Sequence, residues 1–294
     1  MRVTNSKFYE RQQNIPNVNH KFPYVHILLT VLVLLNGIQL FAGGEFPVIG
    51  SRQAGMGRSS VALTDFWNLQ NNQAGIALID KFGAGIYYES QFSLNQLSTK
   101  SAAFLAPTKI GVLGLTFNYF GYSLYNDMKI GLVYARSFGQ YLRIGLQLDY
   151  IQTTLGDDYG SMSNVTFEVG LQSDITEQLT IGAWVYNPLQ VKLAEYDDEK
   201  IPAIFKLGIA WEITNGFIAT IEAEKNTAVQ PILIRGGLEY GINDKFFFRG
   251  GFSTQKEIFS MGFGVKIKVL RFDISAVMHE TLGFSPQASL IFQF

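Results

Sequence analysis

The chain has 294 residues, a formal net charge of -1, 47% apolar and 16% charged residues, and no cysteine. Near-neutral charge gives no electrostatic reason to expect nucleic acid, and the missing cysteine excludes disulfides, thiolate catalysis and a lipid anchor on an N-terminal Cys. The apolar content is high for a soluble protein and low for a bundle of membrane helices, and it suits a barrel in which only every second side chain meets lipid.

The first element is the only long apolar run, Val25 to Ala42, behind a leader carrying Arg2, Lys7, Arg11 and Lys21 against Glu10 alone. With small residues at Ala42, Gly43 and Gly44, residues 1-43 read as an export signal removed near Ala42 to Gly44; an uncleaved anchor helix is the alternative. Residues 44-80 follow as a Gly-rich segment ahead of the first strand.

From Phe82 onward, segments of about ten residues alternate apolar with polar or small side chains, each ended by turn chemistry. They are Phe82–Ser90, Lys100–Ala106, Ile110–Asn118, Met128–Ser137, Tyr141–Thr153, Ser163–Ser173, Leu179–Asn187, Ala203–Ile213, Phe217–Lys225, Ile232–Tyr240, Lys245–Ser253, Phe259–Lys268, Arg271–His279 and Pro286–Phe294. The even number, with a last strand ending on Phe294, predicts an all-β fold over 81-294: a 14-stranded antiparallel transmembrane β-barrel whose final strand pairs with its first. Longer connections such as Gln91–Thr99, Tyr119–Asp127, Thr154–Met162 and Pro188–Pro202 alternate with tight ones such as Pro107–Lys109 and Phe138–Gln140. That alternation predicts extracellular loops and periplasmic turns in a Gram-negative outer membrane, with both termini periplasmic.

The period of two sorts the faces. Leu142, Ile144, Leu146, Leu148 and Tyr150 point to lipid, which leaves Arg143, Gly145, Gln147 and Asp149 inside. The same parity sends Glu168, Lys206, Glu212, Glu222, Glu224, Arg235, Glu239, Arg249, Lys266, Lys268 and Asp273 to the lumen. Both signs are interspersed, so the first reading is a set of cross-strand pairs that satisfy one another; a polar conduction path is the other.

In the segment before the barrel, Arg52-x-x-Gly55-Met56-Gly57-x-Ser59-x-Val61-Ala62 is followed by Asn72-Gln73-Ala74-Gly75. These runs resemble the N-termini of the FadL-like outer-membrane β-barrel superfamily, particularly its PorV and PorQ branch in Bacteroidota type IX secretion. The resemblance implies a fourteen-stranded barrel with an N-terminal hatch inside it, in which Arg52, Gly55, Gly57, Asn72, Ala74 and Gly75 are the hatch residues. A Gly-rich lead-in that caps the barrel floor is the alternative for 44-80. One departure stands out: the family has Asn-Pro-Ala-Gly where this chain has Gln73, so no proline sets that turn.

No catalytic or metal site assembles. His279 is the single histidine beyond the signal, Ser275 is merely the residue alternation places near it, and Asp197-Asp198-Glu199 sits among flanking lysines in a loop. The expectation is therefore a non-enzymatic barrel without cofactor or metal. The resemblance to PorV and PorQ implies a subunit that binds other envelope proteins of an export or assembly machine. The longest loop, with Leu189, Val191, Leu193, Tyr196 and Ile201, is the candidate contact surface. The alternative is a FadL-like passive transporter of hydrophobic or small polar compounds, with a charged lumen and short loops weighing against an apolar substrate.

Overall fold

A computed structural model describes residues 47–139, 141–156, 160–191, 200–254 and 258–294. The signal expected at 1-43, Leu193 and Tyr196 of the contact loop, and the acidic run at 197–199 lie outside the described residues.

Fourteen strands form one closed antiparallel sheet, each paired with its sequence neighbours and the last with the first. They are β1 (Gly83–Ser90), β2 (Ser98–Thr108), β3 (Gly111–Tyr122), β4 (Tyr125–Phe138), β5 (Leu142–Leu155), β6 (Gly160–Asp174), β7 (Leu179–Tyr186), β8 (Ile204–Thr214), β9 (Phe217–Asn226), β10 (Leu233–Ile242), β11 (Phe246–Ser253), β12 (Ile258–Ile267), β13 (Leu270–His279) and β14 (Gly283–Gln293). The seam runs from Gly83↔Gln293 to Glu89↔Gln287, and Phe294 N–H donates to Phe82 O just beyond it. In lipid an unpaired ladder group costs several kcal/mol, so closure is what lets these strands cross a bilayer.

The exterior is apolar where alternation puts it. Ile86, Leu132, Leu148 and Leu207 are each more than half exposed, while their neighbours Tyr87, Val133, Asp149 and Lys206 are buried. A soluble protein would not leave such a belt in water; hydrocarbon accepts it at no cost.

The expected Tyr119–Asp127 loop is instead a tight turn, because β3 runs on to Tyr122 and pairs it with Tyr125 of β4. Likewise β5 and β6 pair as far as Leu155↔Gly160 across the expected Thr154–Met162 loop. Aromatic and β-branched residues at these ends prolong the ladder where polarity alone suggested a loop. At this loop end of the barrel β1 leads into two short 3₁₀ turns, Gln91–Ser93 and Asn95–Leu97; the opposite end carries the seam's Phe294 and tight turns such as Thr108–Gly111.

Residues 47–80 lie against the inward face. They form α1 (Ser51–Gly55), α2 (Asn68–Asn71) and a 3₁₀ turn (Gln73–Ile76), all buried. Ile49, Phe66, Trp67, Leu69 and Ile76 pack with Tyr87, Leu105, Val112, Val133 and Ile291 of the surrounding strands. A second cluster joins Met56, Val61, Ala62 and Leu63 to Ile151, Trp184, Tyr186 and Ile204. These helices are too short to be stable by propensity, so wall contacts hold their shape.

Two adjacent glycines test this arrangement. A methyl on Gly251, which faces in, would overlap Gly57 N and Met56 C, whereas one on Gly250, which faces out, meets nothing within 4 Å. Gly251→Ala is expected to destabilise the folded barrel by about 1–3 kcal/mol through overpacking and Gly250→Ala to change little. Urea unfolding of both variants in detergent micelles checks this, and equal midpoints would show that the segment does not press on the wall there.

Candidate functional site

The lumen is where this fold collects its chemistry, and its floor plan follows from strand parity. At the turn end, Arg52 on α1 reaches Glu239 of β10 through Nε and Nη2 at 2.9 and 2.7 Å, and Asp65 through Nη1 at 3.0 Å. Glu239 is shared with Arg249 of β11 at 2.5 Å, and Arg249 pairs with Asp273 of β13 at 2.8 Å. Arg271 closes the group on Asp273 at 3.0 Å and stacks with Arg249 on the Phe247 ring. Burial works against the charge on Arg52, but Glu239 and Asp65 outweigh it and hold its pKa above the ordinary arginine value. The planar guanidinium suits this fork-on-fork contact, which an ammonium cannot reproduce.

Nearer the loop end, Arg58 donates to Glu89 of β1, which also accepts from Tyr87 OH and Gln287 Nε2. Glu222 of β9 places one oxygen on two backbone N–H groups of the segment, Ser60 at 2.7 Å and Val61 at 2.8 Å. Its other oxygen faces Arg235 at 3.3 Å and Lys206 at 3.9 Å, and those two cations also hold Glu224. Lys129 pairs with Glu168 at 2.8 Å, and Asp149 lies 4.0 Å from the same ammonium. Lys206 lies over Trp184 and Lys129 over Tyr186, whose rings stack.

The motif residues found by resemblance all lie in this contact zone. Gly57 has φ 69°, and a side chain on it would run into Gly236 O and Phe252 O; one on Gly55 would press on Gly262 Cα. Asn72 Nδ2 donates to Val61 O at 2.6 Å, while its Oδ1 accepts from Ala74 N at 3.2 Å and caps the 3₁₀ turn. Gly75 leaves room for the Asn68 amide to reach Leu63 O. Asn72 therefore holds this turn although no proline is present. Gln73 turns the missing proline to use, donating to Gln147 Oε1 at 2.9 Å and Glu168 Oε2 at 2.5 Å.

Of the charges expected inside, Arg143, Asp149, Glu168, Lys206, Glu222, Glu224, Arg235, Glu239, Arg249 and Asp273 are buried. Arg143 pairs with Asp174 and donates to Thr64. Three others are exposed at the turn end rather than buried. Glu212 is exposed at the turn end, where a register shift between Glu212 and Thr214 interrupts the β8–β9 ladder; it rims a recess of about 200 Å³ with Arg52, Thr64 and Glu177. Lys266 is exposed at the next-to-last rung of β12, and Lys268 lies in the β12–β13 turn with φ 53°. Parity alone ignores where a strand leaves the wall, and there solvation wins. In the expected contact loop Leu189 is 73% exposed, but Ile201 is 1% exposed, bonded through its N–H to Val191 O and packed in the second cluster, so it offers nothing to a partner.

Residues that sequence reasoning passed over are mainly those of the segment, Arg58, Asp65, Asn71 and Gln73, which have no strand parity to betray them. Glu89, Lys129 and Arg271 were open to the same alternation that found the rest. His279 accepts backbone N–H groups of Thr281 and Leu282 in the β13–β14 turn, and Ser275 donates to Gln287. Neither is arranged as a base or nucleophile. No group of three or more metal-ligating side chains occurs among the described residues.

A closed fourteen-stranded barrel with an apolar exterior and a polar, segment-filled lumen defines an outer-membrane type of integral protein. No family model matches the chain, and no curated protein matches it by sequence. Among solved structures it is similar to the Ralstonia pickettii toluene transporter TbuX, with 13% identity, TM-score 0.62, and 85% of this chain and 97% of that one covered. The Pseudomonas putida toluene transporter TodX gives 10% identity, TM-score 0.63, and 85% and 98% coverage. A Pseudomonas aeruginosa FadL homologue gives 12% identity, TM-score 0.59, and 86% and 98% coverage. The fold is thus shared with these outer-membrane barrels.

Removing Arg52 leaves Glu239 and Asp65 short of a buried partner. Arg52→Ala is expected to cost about 3 kcal/mol in micelle unfolding, with Arg52→Lys recovering only part. Amides of Ala54, Met56 and Arg58, which donate within the segment to Gly50 O and Gln53 O, should exchange faster by mass spectrometry. Exchange equal to that of the native chain would show that the segment is held without this contact.

Proposed function

We propose that the protein is a passive outer-membrane transporter for small molecules, with residues 44–80 acting as a hatch that must shift before a solute passes. The observation that carries this reading is the shared fold: the solved barrels it resembles over more than four fifths of its length are hydrocarbon channels and transporters. Fourteen strands make a tube wider than an eight-stranded barrel, which side chains alone can fill, and narrower than an open porin. The space beyond the wall's own side chains is what the segment occupies.

Electrostatics narrows the substrate. A solute moving past Glu168, Lys129, Glu222 and Arg235 displaces hydrogen bonds that it must replace, so small polar solutes suit the ionic stretch better than hydrocarbons do. A second reading, a partner-binding subunit of an export machine of the PorV and PorQ kind, draws on the motif at 52–75 and on the tight filling of the lumen. One internal crevice, between Val48, Gln70, Lys129 and Lys206, measures about 20 Å³, room for roughly one water.

Cysteine chemistry separates the two, because the chain has none of its own. Gln70 Nε2 donates to Ser101 Oγ of β2 at 2.7 Å, so Gln70→Cys with Ser101→Cys can be joined by a short bifunctional thiol reagent. Liposomes carrying the uncoupled double variant are expected to swell in small sugars or take up a small aromatic reporter faster than empty vesicles, and coupling should return the rate to the empty-vesicle level. Native protein no faster than empty vesicles for either solute would end the transport reading.

A further inference from the structure

Asn118 is a poor residue for stability where it stands. On β3 its side chain faces the lumen and is fully buried, yet among the described residues neither its Nδ2 nor its Oδ1 has a hydrogen-bond partner. An unpaired buried amide disfavours folding, and leucine, which branches in the same way, would avoid that penalty. The neighbourhood repeats the pattern. Gln70 Oε1 on α2 and Thr99 Oγ1 on β2 are buried and unpartnered as well. Gln70 Nε2 is in use, donating to Ser101 Oγ at 2.7 Å, and Ser101 stands opposite Asn118 in the β2–β3 ladder. Opposed side chains leave the wall about 5 Å apart, which brings the amides of Gln70 and Asn118 within reach of one small molecule.

The way the segment meets the wall differs around the tube. Across β10, β11 and β12 its backbone lies on the strands: a side chain on Gly237 would strike Met56 O and one on Gly251 would strike Gly57 N, while Ser260 Oγ donates to Gly55 O and accepts from Gly57 N–H. In the loop-end half of β2 the bond from segment to wall comes from the Gln70 side chain, which can rotate without moving the backbone behind it. The internal crevice leads to the same place, since Gln70 and Lys129 line it and Lys129 is the ladder partner of Asn118 on β4. Entry as far as Asn118 therefore asks for a rotation of Gln70, and only later passage for movement of the hatch. The unpaired atoms select what enters. Asn118 offers one donor group and one acceptor, and Gln70 a second acceptor; a hydroxyl or amide group uses both kinds, a carboxylate only the donor, and a hydrocarbon neither.

We infer that solutes enter from the loop end between Gln70 and Asn118, and that these two amides form a first binding site selecting small uncharged molecules rich in hydroxyl or amide groups. The inference rests on the transport reading above. Full-length protein in liposomes is expected to pass arabinose faster than gluconate, a sugar-derived anion. Asn118→Leu should slow arabinose about tenfold, the scale of one lost hydrogen bond to the solute, while its urea midpoint in micelles stays level or rises. Thiol labelling follows the route without flux. Ser101→Cys should react with iodoacetamide, an uncharged amide, several-fold faster than Ser260→Cys, each rate taken relative to the heat-unfolded variant; Ser260 is close to the loop end of β12 but lies under the segment's backbone. Arabinose passing native and Asn118→Leu proteins at one rate, gluconate keeping pace with arabinose, a lowered urea midpoint for Asn118→Leu, or equal labelling of the two thiols would each overturn this site and leave transport standing. Native protein no faster than empty vesicles for both solutes would instead overturn the transport reading, and the site with it.

Discussion

The constraint from which the rest follows is that a sheet in hydrocarbon can leave no ladder group unpaired. Closing β14 on β1 satisfies it, from Gly83↔Gln293 to Glu89↔Gln287, and closing with fourteen strands encloses more space than inward side chains fill. Everything inside answers that surplus. The chain ahead of β1 occupies it, and because its own backbone is irregular, it brings many N–H and C=O groups that need partners away from bulk water. Those groups explain the lumen's composition better than a requirement for charge does: Gln172 donates to Val61 O and Leu63 O, Asn72 to Val61 O, and Glu222 accepts from Ser60 and Val61.

Ionic contacts then fix position. Arg52 and Arg58 are the cations with which the segment meets carboxylates of the wall, near opposite ends of the tube, and each meets a carboxylate that has other partners as well. Such pairs gain little over an apolar core in stability, but they define one placement, since any shift leaves a buried charge without its counterpart. The same property gives the proposed hatch two states, seated or released, with no partly shifted position between them.

Much of this was legible from the residues alone, for a physical reason. In a membrane barrel the two faces meet oil and protein, so alternation is nearly unbroken and each of the fourteen strands stood out, as did the inward placement of Arg143, Glu222 and Arg249. Legibility failed where that contrast fades. At strand ends both faces meet water, which is why the inward parity of Glu212 and Lys266 does not bury them and why polarity alone marks the β3–β4 turn as a loop. Within residues 47–80 there is no period of two, and partners such as Asp65 for Arg52 are set by a fold of the chain that no local pattern encodes. Ile201 shows the converse case: apolar in a loop, it reads as a contact surface, yet its N–H bonds to Val191 O and its side chain packs with Trp184 and Tyr186 in the second cluster.

The segment precedes β1 in the chain yet touches strands around the whole circumference, with Phe66 against Gly83 and Gly85, Gln73 against Gly145, and Met56 against Gly237. Residues 47–80 therefore reach their full set of contacts only when strands from both sides of the seam are in place, so the grip on this stretch tightens with the joining of first and last strands.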